Sequence, residues 1–244
     1  MLKKYTSGIG ICIISILLYL GIGMFFSLFI SDSVTLTIIT DILISILGVI
    51  YYRKSVRTQK IHECTRLDNN LFWKLFGIVF VVWTITQVTV TWYYNSFGDK
   101  FLDRYNSNIS KNVLFYLFLT LLFAPASEEI LMRGVIYPTL KKICRPYIAA
   151  LLSSIIFAAM HGTIVHMIIG IYCGIFFVLI YEYTGHIRYS ILVHMIYNTL
   201  SVFFGTLKLP GFFFTSWFVI MSNCTLIISF IVTAFYFKHS KSRI

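Results

Sequence analysis

Residues 8–30 contain no charged side chain, and runs of this kind recur along the whole sequence. About 20 apolar residues suffice for a helix to cross a hydrocarbon layer ~30 Å thick. The chain is therefore expected to thread helices through a bilayer rather than bury a water-excluded core. Only 12% of residues are charged and 58% are hydrophobic, against roughly 25% charged in a soluble domain. The start, Lys3 and Lys4 before an apolar run, has the form of a signal peptide. The run is longer than the ~7–15 residues of a signal h-region, so a retained first helix is expected.

Apolar runs and their breaks predict an all-α membrane protein of about eight transmembrane helices in one bundle, a single domain over residues 1–244. The expected spans are 8–30, 34–52, 72–94, 112–140, 146–161, 164–183, 189–207 and 212–237. With both termini cytoplasmic, sixteen of the 20 Lys and Arg fall in inner segments. Lys100, Arg104, Lys111 and Lys208 fall outside, as the positive-inside rule expects. The loop with Arg53, Lys54, Arg57, Lys60 and Arg66 is the strongest such signal. The net charge of +11 thus reflects topology in a multi-pass protein of the cell membrane. No basic stripe alternates with aromatics, so lipids are expected partners and nucleic acid is not. Cys12, Cys64, Cys144, Cys173 and Cys224 are scattered without a CxxC, which indicates neither a disulfide framework nor a thiolate metal site.

Charge inside the apolar runs is the functional signal. Asp41 interrupts the second and is expected to pack against helices rather than lipid. The stretch from Ala124 to Tyr137, APASEEILMRGVIY, carries Glu128, Glu129 and Arg133. Each ionisable group costs ~2.5–3.5 kcal/mol or more at mid-bilayer, so it needs a partner, water or a task. Positions i and i+4 share a helix face while neighbours point ~100° apart. Glu129 and Arg133 are therefore expected to pair, with Glu128 looking elsewhere and free for chemistry. Pro125 removes a backbone hydrogen bond just before them and can open the helix.

Two further elements follow. Phe157 to His161 ends the fifth span on an imidazole, and Ser153, Ser154, Ala158 and Ala159 before it allow close helix approach. In the seventh span His194 and Asn198 share a face, while Tyr197 faces away from both. His166 is off the face of His161 and is expected in packing or a supporting role; His62, His186 and His239 lie in basic interfacial segments. On residues alone, this set fits catalysis, proton relay or transport, or structural polar packing. Transport predicts broken helices at corresponding positions in two halves, and the Pro-bearing helix has no counterpart in the first half. For hydrolysis, a carboxylate withdrawn from bulk water takes a proton from water, while imidazole and carboxamide donors stabilise an oxyanion.

Glu128-Glu129-x-x-x-Arg133, then Phe157-x-x-x-His161, then His194-x-x-x-Asn198, resembles the three motifs of the CAAX protease and bacteriocin-processing (CPBP, Abi) family of intramembrane endopeptidases. The motifs lie in order on separate spans, within a family-like core of about residues 112–207. The resemblance implies peptide-bond hydrolysis by water that Glu128 activates with help from His161. Glu129 and Arg133 would support the site, and His194 and Asn198 would bind the oxyanion. Met132 stands where many relatives carry an aromatic residue before the arginine. Glu128, His161 and His194 are also ligand types of a catalytic zinc site with an open position. With no HExxH, metal-free hydrolysis is the expectation and zinc the alternative. The expected substrates are peptides or lipidated proteins, with small peptides favoured by a compact chain of prokaryotic style. The non-enzymatic alternative is a bacteriocin-immunity or peptide-binding membrane protein.

Overall fold

The computed structural model describes residues 2–30, 33–56, 68–98, 100, 113–204 and 215–240. Arg57, Lys60, His62, Cys64, Arg66, Arg104, Lys111, Lys208, Lys241 and Arg243 lie outside the described residues. Among the described residues the regular structure is helical: α1 (Leu2–Ser27), α2 (Ser33–Val56), α3 (Asn69–Phe97), α4 (113–141), α5 (Pro146–Ala159), α6 (Ile164–Thr184), α7 (Ile187–Phe204) and α8 (Ser216–Ser240). These helices follow the order of the eight expected spans. Four stretches, Gly8–Ser27, Thr35–Arg53, Asn69–Phe97 and Ile164–Thr184, are long and apolar enough to cross a membrane by length and composition. Pro146–Ala159 and Ser216–Ile231 are apolar but shorter.

Local chemistry sets the joints around the site. Pro146 opens α5, and the residue before a proline is driven out of the helical region; Arg145 is extended at φ −62° and ψ 144°. The chain therefore turns between α4 and α5. Thr163 caps α6, its hydroxyl accepting from the His166 N–H at 3.1 Å. Gly185 ends α6 at φ 72°, a left-handed conformation that glycine adopts without Cβ strain. This turn folds α7 back along α6, where the Ser190 hydroxyl donates to the Phe177 carbonyl at 3.1 Å.

α4 is the axis of the bundle. Residues 131–137 are all buried, with α2 against them, α1 and α5 against the end of the helix, and α7 against the 124–129 turn. Asp41 is buried on α2 beside Ser127 of α4, away from lipid as expected. α3 packs on α6, α7 and α8 through hydroxyl and amide contacts. Tyr197 turns away from His194 and Asn198, its hydroxyl 2.6 Å from that of Thr86, and the Trp83 indole donates to Ser201 at 3.1 Å. Asn223 of α8 donates to Thr89 at 2.9 Å.

α5 and α6 meet backbone to backbone. A Cβ on Gly170 would lie 2.8 Å from Ala158 Cα, and one on Gly174 2.8 Å from Ser154 Cα. Of the small residues noted in the sequence, Ser154 and Ala158 thus form the seam. Lipid supplies no hydrophobic force between helices, so such close contact is a main source of association. Gly174→Ala is expected to push α6 off α5 at a cost of about 1–3 kcal/mol. Melting in detergent should fall by about 2–4 °C per kcal/mol for a chain of this size; an unchanged midpoint would show that the seam can widen freely.

Candidate active site

The helix that carries the acidic motif is not a regular α-helix. α4 is α-helical over Val113–Phe118, π over Leu119–Phe123, α over Ala124–Glu129, π over Ile130–Ile136 and α over Tyr137–Lys141. Each π run stops just before a proline, Pro125 and Pro138. The residues before them, Ala124 and Tyr137, donate five positions back, to the Leu119 and Met132 carbonyls. Proline has no N–H with which to continue that register. π turns of this kind occur frequently at functional sites.

Glu129 and Arg133 pair as their spacing predicts. Arg133 Nη1 lies 2.9 Å from Glu129 Oε1, with the two side chains 1% and 0% exposed. The pair is not a two-bond fork: Arg133 Nη2 donates instead to the Gly174 carbonyl at 2.7 Å. Glu129 Oε2 and Arg133 Nε are buried and engage no partner among the described residues. The guanidinium lies between two rings, 5.3 Å from the Phe157 centroid and 5.4 Å from that of Phe177. Such cation–π contacts stabilise a charge removed from water. The close α5–α6 seam brings the Gly174 carbonyl and Phe177 within reach of Arg133.

His194 joins the two glutamates. Its Nδ1 is 3.1 Å from Glu129 Oε1, and its Nε2 is 3.7 Å from Glu128 Oε2. The oxygen that accepts from Arg133 also accepts from the imidazole, so Nδ1 carries a proton and Nε2 faces Glu128. The ring stacks on Phe177 with centroids 4.6 Å apart at 29°. Glu128 is not part of the Glu129–Arg133 hydrogen bond and lines a cavity together with His161. Yet its carboxylate meets the far edge of the same imidazole, because a ring reaching in from α7 spans the angle between adjacent side chains.

His161 follows the end of α5. Its Nδ1 is 2.8 Å from the Phe157 carbonyl, and since a carbonyl only accepts, Nδ1 holds the proton in the neutral ring and Nε2 keeps the lone pair. A cavity of about 60 Å³ is lined by Glu128, His161, Ser127, Leu131, Met132, Phe157, Met160 and Tyr19. That is room for more than one water, at ~30 Å³ each in the liquid. Glu128 retains 25% side-chain exposure whereas Glu129 has none, which distinguishes an available carboxylate from a locked one. His166 is near but outside this lining; its Nδ1 is 2.8 Å from the Thr163 hydroxyl, and its ring lies 6.4 Å from that of His161.

Asn198 is on the same face of α7 as His194, but its carboxamide nitrogen donates to the Thr120 carbonyl at 2.9 Å. It is not among the residues lining the cavity. No three His, Cys, Asp or Glu side chains among the described residues converge as a metal-binding group. Glu128, His161 and His194, the candidate zinc ligands, are thus not gathered as a set. Nδ1 of each imidazole is already committed, which leaves Nε2 as the remaining nitrogen of both rings.

Three contributors escaped the sequence. Tyr19 belongs to the first helix, far from any motif. Phe177 and the Gly174 carbonyl belong to α6, where the Gly170-x-x-x-Gly174 spacing was the available signal of close approach.

Residues 110–200 match the family model described as type II CAAX prenyl endopeptidase Rce1-like. This segment is Rce1-like. No curated protein and no solved structure matches the chain. The family so described is one of endopeptidases. The match contains α4 from its first described residue to its end, α5, α6 and α7 as far as Leu200, and so every motif residue from Glu128 to Asn198; Tyr19 and Asp41 lie outside it.

Proposed function

We propose that the chain is an intramembrane endopeptidase in which Glu128 activates water to cleave a peptide bond of a membrane-associated or small peptide. The observation that carries this reading is the cavity of about 60 Å³ shared by Glu128 and His161, with His194 Nε2 3.7 Å from the same carboxylate. Glu128 takes a proton from water held between it and His161 Nε2, and the oxygen adds to the substrate carbonyl carbon. His194, with its Nδ1–H held by Glu129 and a second proton on Nε2, donates from Nε2 to the negative charge that grows on the carbonyl oxygen. When the tetrahedral species collapses, the C–N bond breaks and the proton passes from Glu128 to the leaving nitrogen. By the same proposal the protein crosses the cell membrane several times with both termini cytoplasmic.

Purified protein in liposomes would be offered two probe sets: farnesylated peptides ending in a CaaX sequence, and unlipidated leader-type peptides, with mass spectrometry locating the cut. Cleavage of either set supports the endopeptidase reading and names its substrate class. Absence of cleavage, with cells still protected from a peptide toxin, would replace it with immunity by binding. A strong chelator is expected to leave cleavage unchanged, since no step proposed here runs through a metal. Loss of cleavage that added zinc restores would overturn the metal-free mechanism.

A further inference from the structure

Asn198 makes its contact where α4 is broken. In an α-helix the Thr120 carbonyl would receive the N–H of residue 124, but Ala124 donates to Leu119 instead. In the π register the next donor belongs to residue 125, which is proline and has none. The Thr120 carbonyl is thus left without a donor from the helix, and an unpaired backbone carbonyl away from water is costly. Asn198 Nδ2 supplies the missing donor at 2.9 Å. One turn earlier on α7, His194 Nδ1 engages Glu129 Oε1 at 3.1 Å. The two contacts grip α4 on either side of Pro125, and Glu128 lies between them in sequence.

We propose that Asn198 is a positioning residue that splints the break in α4 and so holds Glu128 against His194. The catalytic half of this inference rests on the endopeptidase reading; the structural half does not. Because α7 is a regular helix over Ile187–Phe204, residues 194 and 198 keep a set spacing and transmit it to a helix that lacks part of its own ladder. A lost splint lets the 124–129 turn shift, and displacements near 1 Å at a reacting group are enough to lower a rate ~10²-fold.

A double-mutant cycle between Asn198→Ala and Pro125→Ala tests the proposal, because alanine at 125 restores an N–H beside the Thr120 carbonyl. The readouts are melting in detergent and steady-state cleavage of an internally quenched form of the probe peptide that wild type cuts. In the natural background Asn198→Ala is expected to lower melting by about 2–4 °C and kcat by ~10²-fold, with KM held. In the Pro125→Ala background the same change should cost little in either readout, the coupling that a shared partner produces. Equal losses in both backgrounds would overturn the proposal, since the role of Asn198 would then be independent of the break at Pro125. If wild type cuts no probe, the endopeptidase reading fails separately, and the melting cycle alone decides whether Asn198 holds the break.

Discussion

Glu128→Gln is expected to lower peptide cleavage by ~10²–10⁴-fold, the usual worth of a general base, while leaving the amount of folded protein in the membrane unchanged. The two consequences separate because of where this carboxylate sits. Glu128 keeps 25% side-chain exposure toward a cavity and approaches His194 Nε2 only at 3.7 Å, so its removal strands no tightly paired charge. Glutamine preserves the volume and a hydrogen-bonding edge for the imidazole but cannot accept a proton from water. Quantitative immunoblotting of membranes alongside single-turnover cleavage checks both halves. Full cleavage by the variant would remove Glu128 from the mechanism, and loss of the protein itself would show that its charge is structural.

Glu129→Ala is expected to do the reverse, depleting folded protein before activity can be assayed. Arg133 is 1% exposed and Glu129 wholly buried, and removing one partner of a buried ion pair costs about 3–5 kcal/mol because the other charge is left uncompensated. The same oxygen of Glu129 holds His194 Nδ1 at 3.1 Å, so the imidazole is released as well. Replacing both partners, Glu129→Leu with Arg133→Met, removes the stranded charge, and such apolar swaps are often neutral or stabilising. The double variant should recover abundance and melting while remaining inactive, since His194 has lost the carboxylate that orients it. Recovery of cleavage with abundance would mean that the pair serves folding alone. A single Glu129→Ala protein of normal abundance would show that Arg133 finds another partner.

Several features were legible because they depend on spacing along one helix. The i, i+4 rule alone pairs Glu129 with Arg133, leaves Glu128 out of that pair, and sets His194 and Asn198 on one face of α7. Burial of Asp41 followed from the cost of a lone carboxylate in lipid. Pro125 announced a local opening in α4, but not the π turns on either side of the 124–129 turn. The first of those turns displaces the Thr120 carbonyl, and its partner lies 78 positions away.

Chain-local chemistry therefore determined the helices, their approximate ends and the face each motif residue occupies, since hydrophobic runs, prolines and glycines act on backbone within a few residues. It could not determine which groups meet. Tertiary packing alone brought Tyr19 of the first helix to the cavity, joined both glutamates through one imidazole, and turned the Arg133 guanidinium to the Gly174 carbonyl between Phe157 and Phe177. It also assigned Asn198 to a backbone carbonyl rather than to the cavity. The physical reason is that a hydrogen bond is satisfied within ~3 Å in space, and a sequence records only distance along the chain.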